Sequence, residues 1–294
     1  MVEEKILKEV QEMRKMCKKG DDERDAGLPT DIPDVERIND ISYGPNGKWN
    51  LLDIYLPKQR GEKIPILVNI HGGAWVYGTK ETYQFYGLRM AKGGFGVVNF
   101  NYTLAPDVEF PGEMDDINRV MHWIDRNADK YHLDIDKTFL TGDSAGAQMV
   151  EQYLTIYSNE EYRKLFGYEK PKLKIIAALL NCGEYFLTDP GKLEGVITAY
   201  FTNNVQKNKL EMLNTEKFIN EEFPPVYLLT ANNDFLHNSA FMLAGYLKAK
   251  KLNFKIKSYG DKDHLRYHVF HVNQKDEIAE QANVDEIKFL KSFL

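Results

Sequence analysis

The chain contains little cysteine, no long apolar run and no excess of positive charge. Its 294 residues include two cysteines, Cys17 and Cys182, which lie far apart in the sequence. This argues against a framework of structural disulfides and against a typical zinc site. The net charge of −6 at pH 7 argues against a nucleic-acid partner. Because the sequence has no metal-ligand motif and no phosphate-binding glycine loop, we expect neither a metal nor an organic cofactor.

The N-terminal segment Met1–Gly20 is amphipathic and heavily charged, unlike the uninterrupted apolar core of a secretory signal. No later segment is long and apolar enough to cross a bilayer. We therefore expect a cytoplasmic protein with no membrane partner. Whether a signal peptide has been removed stays open.

Hydrophobic periodicity predicts strands that alternate with helices, which is typical of a mainly parallel sheet flanked by helices. Several strands, such as ILVNI and GVVNF, are near-continuous apolar runs, as expected where both faces of a sheet are covered. The predicted strands are Leu51–Tyr55, Ile64–Ile70, Gly96–Asn101, Thr138–Thr141, Leu173–Leu180, Val226–Ala231 and Phe254–Tyr259. The predicted helices are Tyr83–Lys92, Glu113–Lys130, Ala145–Ser158, Ser239–Lys250 and Asp276–Phe293.

Two regions interrupt this alternation. Residues 1–40 read as one or two helices followed by a proline-containing connector, and residues 188–223 form a polar and aromatic insertion between two core strands. Neither region has enough apolar residues for a core of its own. We therefore expect one α/β domain over residues 1–294, with a small cap built from the N-terminal helices and the insertion. Loops that follow the carboxyl ends of strands surround the active site in such proteins.

The pentapeptide Gly142-Asp143-Ser144-Ala145-Gly146 has the form G-x-S-x-G and lies directly between an apolar strand and a helical pattern. This strand–turn–helix context is that of a nucleophile elbow, in which a sharp turn exposes the serine hydroxyl above the sheet. The helix that follows also directs N–H groups and the positive end of its dipole towards the reacting oxygen. Ser144 is therefore the predicted nucleophile.

A second motif, His71-Gly72-Gly73-Ala74-Trp75, follows the strand Ile64–Ile70. Acyl transfer passes through a tetrahedral oxyanion, which needs fixed N–H donors where the negative charge develops. Paired glycines allow backbone N–H groups to point into a cleft, so Gly72 and Gly73 are the predicted donors. Ala145, which follows the nucleophile, supplies a third. His71 is expected to hold the loop and to take no part in proton transfer.

These two motifs, with the segment NYTLAPDVEFPGEMDD between them, resemble the hormone-sensitive-lipase-like group of carboxylesterases. The resemblance extends from about Leu51 to the C-terminus and is strongest between His71 and Gly146. Thr103 stands where the family's Y-R-L-A-P segment has arginine. The resemblance implies an α/β-hydrolase fold, no cofactor and hydrolysis of short acyl esters.

A serine hydroxyl needs a base to take its proton and an acid to orient that base, and in this fold the chain order is serine, acid, histidine. Asp234 follows the late strand Val226–Ala231, where the family has its aspartate; the alternative is that it caps the next helix. The segment after the strand Phe254–Tyr259 holds three histidines. His268 matches the family's H-x-F form and is the predicted base, with His264 and His271 as alternatives.

The substrate class depends on weaker signals. Trp75 and Tyr185 are the predicted substrate-binding residues, although aromatic side chains in this region could equally pack the cap onto the body. The absence of a long apolar lid favours short acyl esters, such as acetyl groups on a carbohydrate or an aryl alcohol, over the substrates of a long-chain lipase. The alternatives are a serine peptidase and a ligand-binding protein that has lost its chemistry. A homodimer through the late strand and the C-terminal helix is also permitted.

Overall fold

The computed structural model describes residues 2–294, which build one eight-stranded sheet with helices packed on it. The strands are β1 (Val35–Ser42), β2 (Leu51–Pro57), β3 (Ile64–Ile70), β4 (Gly96–Phe100), β5 (Leu133–Asp143), β6 (Ile175–Asn181), β7 (Val226–Ala231) and β8 (Phe254–Tyr259). Their order in the sheet is β1-β2-β4-β3-β5-β6-β7-β8. Only β2 runs antiparallel to its neighbours, so the predicted mainly parallel sheet is confirmed.

The helices cover the sheet and fill the two insertions. They are α1 (Glu4–Asp25), α2 (Gln84–Lys92), α3 (Gly112–Asn127), α4 (Ala145–Ser158), α5 (Glu160–Phe166), α6 (Asn203–Asn208), α7 (Leu210–Leu213), α8 (Thr215–Phe218), α9 (His237–Ala249) and α10 (Glu277–Lys291). Within residues 2–294, no helix has both the length and the apolar character that a membrane span requires.

The N-terminal region differs from the prediction of a helical cap segment over residues 1–40. One helix, α1, ends at Asp25, and Val35–Ser42 form the edge strand β1, which the sequence analysis missed. The reason is that β1 is polar and half-exposed, since it pairs with β2 alone and leaves its other edge open. Its residues therefore do not show the apolar pattern of a strand that is covered on both faces.

The insertion at residues 188–223 contains the 3-10 turn Gly195–Ala199 and the three short helices α6 to α8. Helix α1 contacts this 3-10 turn, and α8 contacts α4. The two additions to the sheet therefore meet each other, and the insertion also packs on α4.

The parallel strands give the site its position. β3, β5, β6, β7 and β8 are consecutive neighbours in the sheet, and all five point the same way. Because their carboxyl ends share one edge, the loops that follow these strands converge there. The strands are held by two clusters of buried apolar side chains, which fixes the positions at which the loops begin.

Candidate active site

Ser144 occupies the turn between β5 and α4. Its backbone has φ 52° and ψ −119°, a region that residues with a side chain rarely adopt. The turn brings Gly146 so close to the neighbouring strand that a Cβ on this residue would collide with the carbonyl of Ile70. Ser144 is partly exposed, whereas Asp143 and Ala145 on either side of it are buried. The turn therefore presents the serine above the sheet.

Asp234 and His268 form a hydrogen-bonded pair at the same edge. Asp234 Oδ1 lies 2.8 Å from His268 Nδ1, and the side chains are 0% and 20% exposed, respectively. Asp234 Oδ1 also accepts the N–H of Leu236 at 2.9 Å. Burial alone would raise the pKa of Asp234, but the hydrogen bond and charge of His268 hold it below the usual value. The carboxylate is thus kept ionised beside the imidazole.

The other two histidines of this segment occupy different surroundings. His264 is 68% exposed at its side chain and lies 3.0 Å from Asp261, which is itself on the surface. His271 is buried, and this burial, with the nearby charge of His268, lowers its pKa to about 3. Of the three histidines, His268 is the one that pairs with Asp234.

Backbone contacts between neighbouring strands bring the serine turn towards this pair. The N–H of Ser144 donates to the carbonyl of Asn181 at 2.8 Å, and the N–H of Cys182 donates to Leu229 of β7 at 2.7 Å. Side-chain atoms of Cys182, Asp234 and His268 lie within 4.8 Å of one another. Ser144 Oγ makes no hydrogen bond to any residue in the range 2–294. In free enzymes, catalytic hydrogen bonds are often long and tighten when substrate binds.

The loop after β3 turns sharply beside Ser144. Gly73, Ala74 and Trp75 all have positive φ angles, of 126°, 52° and 59°. The N–H groups of Gly73, Ala74 and Ala145 have no acceptor among residues 2–294. The loop and the start of α4 therefore offer three free donors. Ala74 was not among the predicted donors, because the sequence pattern emphasised the glycines.

The prediction that Gly72 donates to an oxyanion needs correction. Its N–H already donates to Asp143 Oδ1 at 3.0 Å. A Cβ at this position would lie 2.6 Å from Asp143 Oδ2, so glycine is required for the close approach of the two segments. Gly72 therefore joins the loop to the serine turn and has no N–H to spare.

Asp143 is the centre of that junction. Besides Gly72, it accepts the hydroxyl of Tyr83 at 2.7 Å. Complete burial raises the pKa of Asp143 to about 6, although the bond from Tyr83 opposes the rise. The residue before the nucleophile thus connects β5, the loop after β3 and the segment that leads into α2.

His71 packs beneath the same loop. Its ring stacks on Tyr102 with the centroids 4.1 Å apart, and its carbonyl accepts the Tyr102 hydroxyl at 2.7 Å. Nδ1 donates to the carbonyl of Gly72 at 2.8 Å. Complete burial lowers the pKa of His71 to about 4, so the ring is neutral at neutral pH. These contacts fix the loop.

The predicted substrate-binding residues Trp75 and Tyr185 are buried, at 3% and 0% exposure. Trp75 packs edge-on against Phe201 of the insertion, with ring centroids 4.8 Å apart. The N–H of Tyr185 donates to Ser239 on α9 at 2.9 Å. The Trp75 side chain packs the insertion onto the body and the Tyr185 side chain is fully enclosed, so their prediction as binding residues is corrected. An aromatic residue that the prediction missed, Phe235, is 77% exposed next to His268.

The strained serine between a buried strand and a helix, the aspartate–histidine pair on later parallel strands and the sheet order together define an α/β hydrolase. The pattern of the BD-FAE family matches residues 52–240, and the chain belongs to the BD-FAE family. The predicted fold and the resemblance to carboxylesterases of the α/β-hydrolase superfamily are confirmed.

Individual proteins similar to this chain carry esterase names. Esterase LipQ of Mycobacterium tuberculosis is 29% identical over 215 residues, which cover 69% of this chain and 50% of the relative. Versiconal hemiacetal acetate esterase of Dothistroma septosporum is 26% identical over 214 residues, which cover 65% and 63%. The chain thus spans about half to two thirds of the length of these curated relatives.

Among solved structures, esterase B from Lactobacillus rhamnosis inhibited by a tributyrin phosphonate has a similar fold. The TM-score is 0.89 at 24% identity, and the match covers 99% of this chain and 96% of the other.

Proposed function

We propose that this protein is a serine carboxylesterase that hydrolyses short-chain acyl esters through Ser144, His268 and Asp234. The observation that carries the proposal is the 2.8 Å contact between Asp234 and His268, at the sheet edge where Ser144 is held in its strained turn. An isolated serine hydroxyl is a weak nucleophile, and an oriented imidazole is the usual means of activating it.

In the acylation step, His268 Nε2 takes the proton of Ser144 while Oγ forms a bond to the ester carbonyl carbon. Asp234 keeps the imidazole in the tautomer with a proton on Nδ1 and stabilises the imidazolium that forms. The tetrahedral intermediate then collapses, the bond to the alcohol oxygen breaks, and His268 donates its proton to the leaving alcohol. The acyl group remains on Ser144.

The negative charge on the carbonyl oxygen needs donors that are already in place. We assign this role to the free N–H groups of Gly73, Ala74 and Ala145, and not to Gly72. Loss of one such donor typically lowers kcat by about 10²–10³-fold. Water then attacks the acyl-enzyme with His268 as the base, and Ser144 regains its proton as the acid product leaves. Every step uses side chains and backbone of this chain.

The acyl group is proposed to be short, as in acetyl esters of carbohydrates or of aryl alcohols. The insertion is packed onto the body through the buried side chains of Trp75 and Phe201, which supports a small acyl site. Similarity to a relative that is named as an acetate esterase also supports a short acyl group. The partner is then a small-molecule ester.

The test is hydrolysis of p-nitrophenyl acetate, butyrate, octanoate and laurate. We expect kcat/KM to be highest for acetate or butyrate and to fall steeply for the two longer esters. A maximum at laurate would replace the short-acyl proposal with a lipase. No turnover of any ester would remove the catalytic proposal and favour a ligand-binding protein, the alternative that does not need the serine.

A further inference from the structure

We propose that Phe235 forms the subsite for the leaving alcohol and makes the enzyme selective for esters of aromatic alcohols. This inference rests on the proposed esterase function and specifies its substrate. It begins from the exposure of Phe235, which directly follows Asp234 and is 77% exposed. Tyr267, which directly precedes His268, is 59% exposed, and Leu265 is 45% exposed. The N–H of Asn233 donates to the carbonyl of Arg266 at 3.0 Å, so the two segments that carry these exposed side chains lie side by side. Neighbouring exposed apolar side chains mark binding sites more often than single ones do.

Phe235 lies against the proposed base. Its ring centroid is 4.3 Å from that of His268, with the planes inclined at 42°. Its backbone is fixed on both sides, because the N–H of Asp234 donates to Ala231 at 3.2 Å and that of Leu236 donates to Asp234 at 2.9 Å. The anchored backbone therefore keeps the exposed ring beside His268, where it can meet a ligand.

The direction of proton transfer places the alcohol on this side of the site. Nδ1 of His268 is bound to Asp234, so the leaving oxygen receives its proton from Nε2. That transfer requires the oxygen within about 3 Å of Nε2. A ring attached to this oxygen lies within reach of the exposed Phe235. Aromatic rings attract one another at centroid separations of about 4.5–7 Å.

Four aromatic side chains of the loop after β3, the segment after β6 and the insertion are not available for this contact. Trp75, Tyr185, Tyr200 and Phe201 are each at most 3% exposed. Phe241 on α9 is 45% exposed, but its ring stacks on His237 with centroids 4.7 Å apart. Phe241 therefore provides a matched control of similar chemistry that does not contact His268.

The experiment compares kcat/KM for phenyl acetate and ethyl acetate in the wild type, Phe235→Ala, Phe235→Leu, Phe235→Tyr and Phe241→Ala. The acyl group is the same in both esters and their intrinsic reactivities do not change between variants, so a change in the ratio of the two values reports on the alcohol site. We expect Phe235→Ala to lower kcat/KM for phenyl acetate by about 10-fold, mainly through KM, and that for ethyl acetate by less than about 2-fold. Phe235→Tyr should restore the phenyl preference and Phe235→Leu should not, while Phe241→Ala should match the wild type.

An equal loss for both esters, carried by kcat, would show that Phe235 only positions the His268 ring and would overturn the inference. If the ratio of kcat/KM for phenyl acetate to that for ethyl acetate were unchanged in Phe235→Ala, the inference would also be overturned. An equal loss of kcat/KM for an acetylated sugar in this variant would overturn it too. If the wild type hydrolysed neither ester, the proposed function would fail and this inference with it. If the wild type hydrolysed both esters and Phe235→Ala kept the wild-type preference between them, the alcohol subsite would be overturned and the proposed esterase function would stand.

Discussion

At the scale of single residues, Asp143 connects the serine turn to residues 71–77, which we call the oxyanion loop for the role that we propose for it. We expect Asp143→Asn to lower kcat about 10-fold or more while changing KM less, because the Gly72 N–H and the Tyr83 hydroxyl donate to different oxygens of Asp143 and the amide replaces one of these oxygens with an NH2 group. Steady-state kinetics with p-nitrophenyl acetate measures this.

Asp136→Asn, an exposed change on the same strand, is the matched control and should leave kcat unchanged. Tyr83→Phe keeps the Gly72 contact and should have an effect smaller than that of Asp143→Asn. Wild-type kcat in Asp143→Asn would contradict a positioning role for this carboxylate.

The identity of the base is a second question at this scale. His268→Ala should lower kcat by about 10³-fold or more, because no other group pairs with Asp234 to take the serine proton. His264→Ala should retain nearly full activity, since that side chain is exposed and pairs with Asp261. The reverse pattern, in kinetics on the same ester, would assign the base to His264.

Sequence motifs predicted those candidate site residues whose role depends on the chemistry of the side chain itself. Ser144 was predicted from its strand–turn–helix context, and Asp234 and His268 were predicted from chain order together with the resemblance to the carboxylesterases; the structure brings Asp234 and His268 into contact. Gly72 could not be excluded as a donor, because whether its N–H is free depends on a contact with Asp143 across two strands. The exposure of Phe235 and the burial of Trp75 likewise depend on how the insertion folds back, which no local pattern encodes.

At the scale of elements, α10 supports the serine turn from below. Glu286 of α10 is fully buried and accepts the side-chain N–H of Asn181 at 2.6 Å, and the carbonyl of Asn181 accepts the N–H of Ser144. Burial raises the pKa of Glu286 to about 8, although bonds from Asn181 and Tyr86 oppose the rise. The C-terminal helix thus holds a buried, titratable group behind Ser144.

This arrangement makes stability depend on pH in a defined direction. A raised pKa in the folded state means that the unfolded chain binds fewer protons between about pH 4.5 and 8, so the free energy of unfolding falls as pH rises through that window. Because glutamine has no carboxyl group to titrate, Glu286→Gln removes this loss of stability with rising pH. Urea denaturation should show the variant gaining on the wild type between pH 6 and 9, by on the order of 2 kcal/mol.

Glu280→Gln, on the same helix, is the control. The hydrogen bond from Arg89 keeps the pKa of Glu280 below its usual value, so its titration is complete before pH 6. The stability difference between this variant and the wild type should therefore stay constant from pH 6 to 9. If the stability difference between Glu286→Gln and the wild type also stayed constant from pH 6 to 9, that result would contradict the raised pKa of Glu286.

The elements themselves were predictable where they are buried. All seven predicted strands are present. Six of them, β2 to β7, appear as apolar runs because both of their faces are covered, whereas the edge strand β8 is partly exposed and alternates apolar and polar residues. Strand β1 and the short helix α5 were missed, since both are largely polar and partly exposed. Their assignment depends on pairing partners and on caps, such as the Asn159 side chain that accepts from Tyr162 at the start of α5.

At the scale of the whole molecule, α1 links the N-terminal addition to the oxyanion loop. Arg14 donates to the carbonyl of Val76 at 2.7 Å and to that of Ala105 at 2.8 Å. Such bonds from a charged group are typically worth about 1.5–3 kcal/mol each. We expect Arg14→Met to increase amide hydrogen exchange over α1 and over residues 73–77, and to lower kcat several-fold.

Lys15→Met, which changes an exposed charge on the same helix, should alter neither quantity. If exchange in Arg14→Met increased over α1 alone, with kcat unchanged, the helix would not support the oxyanion loop.

The proposed mechanism depends most directly on Ser144 as the nucleophile. The measurement is kcat/KM for p-nitrophenyl acetate with Ser144→Ala, compared with the wild type and with Ser158→Ala at the other end of α4. We expect Ser144→Ala to lose activity by about 10⁴-fold or more and Ser158→Ala to remain active. Retention of most of the activity by a folded Ser144→Ala variant would contradict the serine mechanism.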